Sequence, residues 1–265
     1  MPLRTIALGL LLAASLLPSP PAADPPQGAV IGPVSHIQPP PATYLFPAGL
    51  TLVYDVEWRL WTAGTASLST SSAGDEPQVK GSADATGVAA VLYKVHDRFQ
   101  SAFDRRSFCS QNLRKHTEEG FRARDTLISF DYSLRKSLLD ETNLKSGERK
   151  HQENAIPGCV TDVLSGIFYV ASLPLVQGVT YTFPLNDGGK TVDVQARAET
   201  REVVKTPAGE FQTIRVSPEA ASGVVKERGR IWIWYSNDAR RIPVQMRARM
   251  FWGTLTFRLT RIERK

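Results

Sequence analysis

From Leu50 onward the chain alternates between apolar and polar positions. In LTLVYDVEWRL the residues Leu50, Leu52, Tyr54, Val56, Trp58 and Leu60 share one face, while Thr51, Asp55, Glu57 and Arg59 lie on the other. A two-residue period of this kind marks a half-buried β-strand. Similar alternation recurs over Thr191–Val204 and Gln212–Ser217, and three times after Gly229. Turn signals separate the runs: EEG at Glu118–Gly120, NDGG at Asn186–Gly189, TPAG at Thr206–Gly209 and SND at Ser236–Asp238. Many short strands at hairpin spacing predict a mainly β protein, an antiparallel sheet or barrel.

One segment breaks the period. VTDVLSGIFYVASLPL, Val160–Leu175, carries apolar residues at Val163, Leu164, Ile167, Phe168, Val170 and Ala171, with Thr161 or Asp162 as N-cap and Pro174 as a stop. This predicts a helix over Thr161–Leu173 whose broad apolar face needs the sheet as cover, with Val163, Leu164, Ile167 and Phe168 as the covering residues. A second, weaker helix is expected over Val88–Tyr93.

The C-terminal stretch GRIWIWYSNDARRIPVQMRARMFWGTLTFRLTRIE, Gly229–Glu263, sets two tryptophans on alternate residues and follows them with closely spaced arginines. A hairpin with the four-residue loop Asn237–Arg240 places Ile231 opposite Met246, Ile233 opposite Val244 and Tyr235 opposite Ile242. A tight turn at Trp252 and Gly253 then sets Leu255 opposite Met250, Phe257 opposite Ala248 and Leu259 opposite Met246. Both registers gather apolar side chains on one face. The other face keeps Trp232, Trp234, Gln245, Arg247, Arg249, Thr256, Arg258 and Thr260, with Arg247 opposite Arg258 and Trp232 diagonal to Arg247 for a cation–π contact. Trp232, Trp234, Arg247, Arg249 and Arg258 are therefore the candidate ligand-binding residues. The competing reading is a solvated outer surface on which arginine stems cover indole rings, which is the commoner role of such a face.

The first residues change the meaning of the cysteines. MPLRTIALGLLLAASLLPSPPAAD has one cation at Arg4 and an apolar run from Thr5 to Leu17, the pattern of a secretory signal peptide over residues 1–23 and too short a run to span a bilayer comfortably. Residues 24–49 are rich in Pro and read as an extended, disordered linker, so that a single β-rich domain covers residues 50–265. In an oxidising compartment, periplasm or extracellular space, Cys109 and Cys159 are the one available pair and a disulfide is the default. Closing a loop of about 50 residues restricts the unfolded chain by roughly 4 kcal/mol on the chain-entropy account. The net charge of +6 is scattered rather than gathered into a run, so no nucleic-acid partner is expected.

No catalytic signature emerges. The four histidines, His36, His96, His116 and His151, lie far apart without metal-ligand spacing, and neither a cofactor nor a metal is expected. SLRK at Ser133–Lys136 matches Ser-x-x-Lys, but at a turn after a strand and without its companion motifs. HDRFQSAFDRRSF, His96–Phe108, gathers acids and bases, with Asp97 or Asp104 as conceivable general base of a hydrolase or glycan-modifying enzyme. The plainer reading is a strand with Phe99 and Phe103 on one face, ending in a turn at Asp104–Arg106.

Several segments together resemble the bacterial family Domain of Unknown Function 3108: DRFQSAFD at Asp97–Asp104, PGCVTDVLSGIFYVASLPLVQG at Pro157–Gly178, REVVKTPAGEFQTIRVSP at Arg201–Pro218, and IWIWYSNDARRIPVQMR at Ile231–Arg247 followed by GTLTFRL. The resemblance implies an exported envelope protein with a strongly curved antiparallel sheet or open β-barrel, similar to the lipoprotein-carrier type, with one or two helices covering its concave side. It supplies no catalytic residues, and Gln100 stands where the family pattern has Glu. The expectation is an exported, non-catalytic cell-envelope protein that binds or escorts a lipid or other amphiphile. The alternatives are an envelope hydrolase around Asp97–Arg106 and a structural partner of another envelope protein. No transmembrane span is expected in the mature chain.

Overall fold

The computed structural model describes residues 35–264 apart from Arg59, Leu60, Asp75, Gly189, residues 221–228, Phe251 and Trp252. The signal-peptide reading of residues 1–23 lies outside the described residues. Eight strands come first: β1 Leu50–Trp58, β2 Trp61–Ala73, β3 Glu76–Ala85, β4 Val95–Phe103, β5 Ser110–Glu119, β6 Arg122–Asp131, β7 Lys136–Asn143 and β8 Arg149–Ala155. Six more follow: β9 Thr180–Asn186, β10 Thr191–Thr206, β11 Gly209–Ala220, β12 Arg230–Ser236, β13 Pro243–Met250 and β14 Gly253–Arg264. Helix α1, Gly87–Leu92, joins β3 to β4, and α2, Val163–Ser172, lies between β8 and β9.

All fourteen strands form one antiparallel sheet in the order β8-β7-β6-β5-β4-β3-β2-β1-β14-β13-β12-β11-β10-β9. The first and last strands pair at its centre, Leu50 opposite Arg264, and the sheet edges are β8 and β9. The sheet curls until these edges approach without zipping. Asn154 of β8 donates to Gly188 O beyond the end of β9 at 3.4 Å, and the segment before α2 links β5 to β9: Ser110 N–H donates to Val160 O at 2.9 Å, and Thr161 makes an isolated parallel bridge to Leu185. The architecture is thus an open barrel: the strand pattern predicts an antiparallel sheet or barrel, and the family resemblance implies the open, curved form.

Its concave side is occupied by α2, all ten residues of which are buried. The helix starts where it does because Asp162 Oδ1 accepts from Leu164 N–H at 2.8 Å and from Ser165 N–H at 3.0 Å, completing a capping box with Ser165. Asp162 Oδ2 accepts from Ser101 Oγ at 2.5 Å and Ser110 Oγ at 2.6 Å, so four donors satisfy this fully buried side chain and two of them tie the helix to β4 and β5. Beside this strut, Cys109 and Cys159 form a disulfide with Cα atoms 5.0 Å apart. Around α2 runs an aromatic chain, Phe46–Phe103, Phe46–Phe168, Phe103–Phe108, Phe108–Tyr169 and Tyr169–Phe183, with ring centroids between 4.9 and 5.6 Å. Each buried ring or aliphatic chain contributes about 1.5–3 kcal/mol of transfer free energy, and tilted ring pairs add to it. Tyr235 Oη closes the helix's far side by donating to Ile167 O at 2.9 Å.

Two details depart from the sequence-based expectation. The latter part of the segment read as a disordered linker is tied to the core: Ile37, Tyr44 and Phe46 pack against it, and Gln38 N–H donates to Tyr169 Oη at 3.1 Å. Its apolar residues lack a period because they anchor one at a time. The C-terminal registers also differ. Ile233 faces Met246 and Ile231 faces Ala248, while Met246 faces Phe257 and Ala248 faces Leu255. Away from the turn each hairpin is offset by two residues from the expected pairing, while next to the turn Tyr235 faces Pro243 in place of Ile242. A bulge at Trp234/Tyr235 and the longer turn closed by Ser236 N–H to Ile242 O, with Arg241 at φ +48°, account for the first offset. An even slip leaves every side chain on its expected face.

Candidate functional site

The tryptophan–arginine face lies on the outer side of β12–β14, and most of it is internally occupied. Trp234 is only 5% exposed. Its ring lies between the Arg215 and Arg247 guanidinium groups, 6.0 and 5.6 Å from the centroid, and its Nε1 donates to Glu202 Oε1 at 2.8 Å. Arg215 continues the network to Glu199 at 2.6 Å and Glu202 at 3.2 Å. The offset register removes the expected Arg247–Arg258 opposition: Arg247 faces Thr256, and Arg258 faces Gln245. Arg258 reaches instead to Lys205 O at 2.9 Å and to Glu57 at 3.5 Å. Lys205 lies near the tip of the β10–β11 hairpin, which extends beyond the end of β12 until Ala208 N–H meets Leu259 O at 3.1 Å. The cation over Trp232 is Arg230, at 5.7 Å, rather than Arg247. Arg249 stands exposed opposite Arg230 and Thr254. These residues do form one surface, yet its aromatic and cationic groups largely satisfy each other.

The second candidate, His96–Phe108, is strand β4 and the turn after it. Asp104 Oδ1 accepts from Arg106 N–H, Ser107 N–H and Ser107 Oγ, which makes it a turn cap. Asp97 shares the inward face of Phe99 and Phe103 and is fully buried. Burial first, and the Glu119 carboxylate second, push its pKa up to about 7 against the Glu118 N–H that donates to Oδ1. Its Oδ2 and the hydroxyl of Tyr93 are buried without a hydrogen-bond partner among the described residues. A general base must reach a substrate proton, and Asp97 is sealed from solvent. In SLRK, Ser133 Oγ donates to Asp131 and Lys136 pairs with Glu153, so the motif is split between two carboxylates.

Strand pairing brings together what the sequence separates. His96 Nδ1 contacts Asp84 at 2.7 Å, His116 Nδ1 contacts Asp125 at 2.6 Å, and His151 Nδ1 contacts Asp140 at 2.7 Å, each across a strand pair. The His96 and His116 rings stand edge to face at 6.2 Å. The hydrogen bonds to Asp125 and Asp140 raise the pKa of His116 and His151. Arg98, His116, Asp125 and Asp140 line an open groove of about 580 Å³ with Lys80, Arg114 and the hydroxyls of Ser67, Ser69 and Ser82. The groove belongs to the outer face, because the adjacent row runs through Gly81, which faces Leu164 of α2. Sequence reasoning missed it. Its signal was the polar half of the alternation in QVKGSADA, HDRFQ and LRKHTEE, which looks like ordinary solvated surface until the register aligns the rows. Among the described residues no group of His, Cys, Asp or Glu is arranged to hold a metal ion, and no helix is long and apolar enough to cross a membrane.

A family model described as "Protein of unknown function (DUF3108)" matches residues 53–260. No curated protein matches the chain by sequence. A β-barrel-like protein of the domain of unknown function DUF1849 from Brucella abortus has the same fold, with a TM-score of 0.57 and 7% identity over 88% of this chain and 100% of that one. A protein with a YmcC-like fold from Bacteroides fragilis aligns with a TM-score of 0.38 and 10% identity, over 87% of this chain and 100% of its own.

Proposed function

The chain belongs to the DUF3108 family, whose function is unknown, and on its own geometry we propose that it is an exported, non-catalytic envelope protein that works by docking other molecules on its surface. The observation that carries this reading is the filled concave side, where α2 is buried along its whole length and held by Asp162, the aromatic chain and the neighbouring disulfide. An internally carried lipid would have to expel that helix. An amphiphile or an envelope protein therefore meets the protein from outside. The disulfide supports export to an oxidising compartment, since such bonds are rare where thiols are kept reduced. The enzymatic alternative rests on Asp97 alone, and its burial speaks against it.

Native mass spectrometry of the purified protein, followed by organic extraction after denaturation, tests the reading. The expected mass is that of the disulfide-bonded polypeptide alone. A stoichiometric lipid retained through gel filtration would overturn surface docking in favour of internal carriage.

A further inference from the structure

Antiparallel pairing sends the start of β2, the β5–β6 and β7–β8 turns and the α1 connection to the same end of the barrel. Backbone hydrogen bonds make them neighbours: Thr86 N–H to Ala63 O, Gly120 N–H to Lys94 O, and Leu144 N–H to Ala123 O, at 3.0, 2.8 and 2.9 Å. This rim carries Trp61, Val88, Val91, Leu92, Phe121 and Leu144, all exposed, with Trp61 at 77%, Val91 at 86% and Phe121 at 92%. Helix α1 has no charged residue and buries none of its residues. A helix of that composition is normally covered on its apolar side, and a contiguous exposed apolar patch marks an interaction site.

We propose that this rim is a membrane-docking surface that seats on an anionic phospholipid bilayer. The inference rests on the reading that the protein acts through its surface and names the surface and the partner. Charge chooses the occupant. Lys94, Arg122, Lys145 and Arg149 are exposed around the apolar tips; on the acidic side Glu118 is ion-paired to Lys94 at 2.5 Å, Glu119 is half-buried, and Glu148 is exposed. Lys145 already lies over the Phe121 ring, 5.9 Å from its centroid. Aromatic and aliphatic tips enter the headgroup boundary while long cationic side chains reach the phosphates. A second copy would bring the same cations face to face, which disfavours self-association through this rim.

The test is co-sedimentation of the purified full chain with vesicles of phosphatidylcholine alone and of equal parts phosphatidylcholine and phosphatidylglycerol. The expected result is binding to the anionic vesicles, weakened by salt, and reduced by about tenfold or more in the double variant W61S/F121S and in Val91→Asp. The variants keep the same N-terminal segment, so that segment cannot account for the difference, and thermal melts confirm their folding. Three outcomes overturn the proposal: no binding to anionic vesicles, binding unchanged in the variants, or concentration-dependent self-association abolished by the same substitutions. With the lipid extraction negative and vesicle binding absent, the rim inference fails while surface docking stands.

Discussion

Trp234 and Trp61 differ in the work their surroundings leave them. Trp234 belongs to the most conspicuous motif in the sequence, yet two guanidinium groups and the Glu202 carboxylate enclose it on the outer face of β12. Trp61 opens an inconspicuous strand of small and hydroxyl residues and stands almost free at the barrel's end. Interleaved aromatics and cations in a strand make excellent mutual partners, so a dense motif tends to satisfy itself. The groups left for another molecule are those the fold isolates.

The sharpest way to break this contrast is Trp234→Ala. Removing a buried indole from between two arginines destabilises by about 3 kcal/mol, read as a lower urea midpoint at unchanged slope. A loss below about 0.5 kcal/mol would show that the face is not packed as described and would return it to candidacy as a binding surface. Glu202→Ala comes next. It strands the indole N–H and removes one of two carboxylates from Arg215, with an expected loss of about 1–2 kcal/mol. Pairing it with Trp234→Ala in a double-mutant cycle should give strongly non-additive losses, since the two groups share one hydrogen bond.

The third effect lies beneath the rim. Asp97 has a folded pKa near 7 against an ordinary carboxylate value near 4. Between those values the folded state binds the extra proton, so the group's contribution to stability falls as pH rises through that window and stays low above it. Asp97→Asn removes the buried charge and is expected to stabilise by about 2 kcal/mol at a pH of about 8, with little effect at about pH 4. His116, raised by Asp125, also loses stabilisation as pH rises, so the informative quantity is the difference between wild type and variant. An Asn variant that is less stable at the higher pH would mean that the Asp97 charge is satisfied, contrary to its orphaned oxygen.

The faces were readable from the sequence because the side-chain period of a strand survives any even slip. Ile233, Tyr235, Val244 and Met246 point inward although both C-terminal registers differ from expectation by two residues. Register depends on turn geometry, and neither the bulge at Trp234/Tyr235 nor the positive φ of Arg241 is written in a motif. The helix was readable because its period and its Asp162 cap are local; the four donors that make the cap a strut come from β4 and β5 as well as from the helix itself. The burial of Asp97 was within reach, since it shares parity with Phe99 and Phe103. The groove and the rim were not. Each gathers residues from several strands or turns, and only the pairing order makes Lys80 a neighbour of Arg114 or Phe121 a neighbour of α1.

Trp61→Ser should have the smallest effect on stability and the most instructive one. A side chain this exposed loses little on folding and gains little, so its replacement is expected to move the urea midpoint by less than about 0.5 kcal/mol. If the same substitution weakens binding to anionic vesicles, then stability and docking separate cleanly between the two tryptophans: Trp234 acts in the fold alone, Trp61 at the membrane. A destabilisation approaching that of Trp234→Ala would instead mean that Trp61 packs on the chain itself in solution. The rim would then be a closed surface, and the reason for an uncharged α1 would lie in folding rather than in docking.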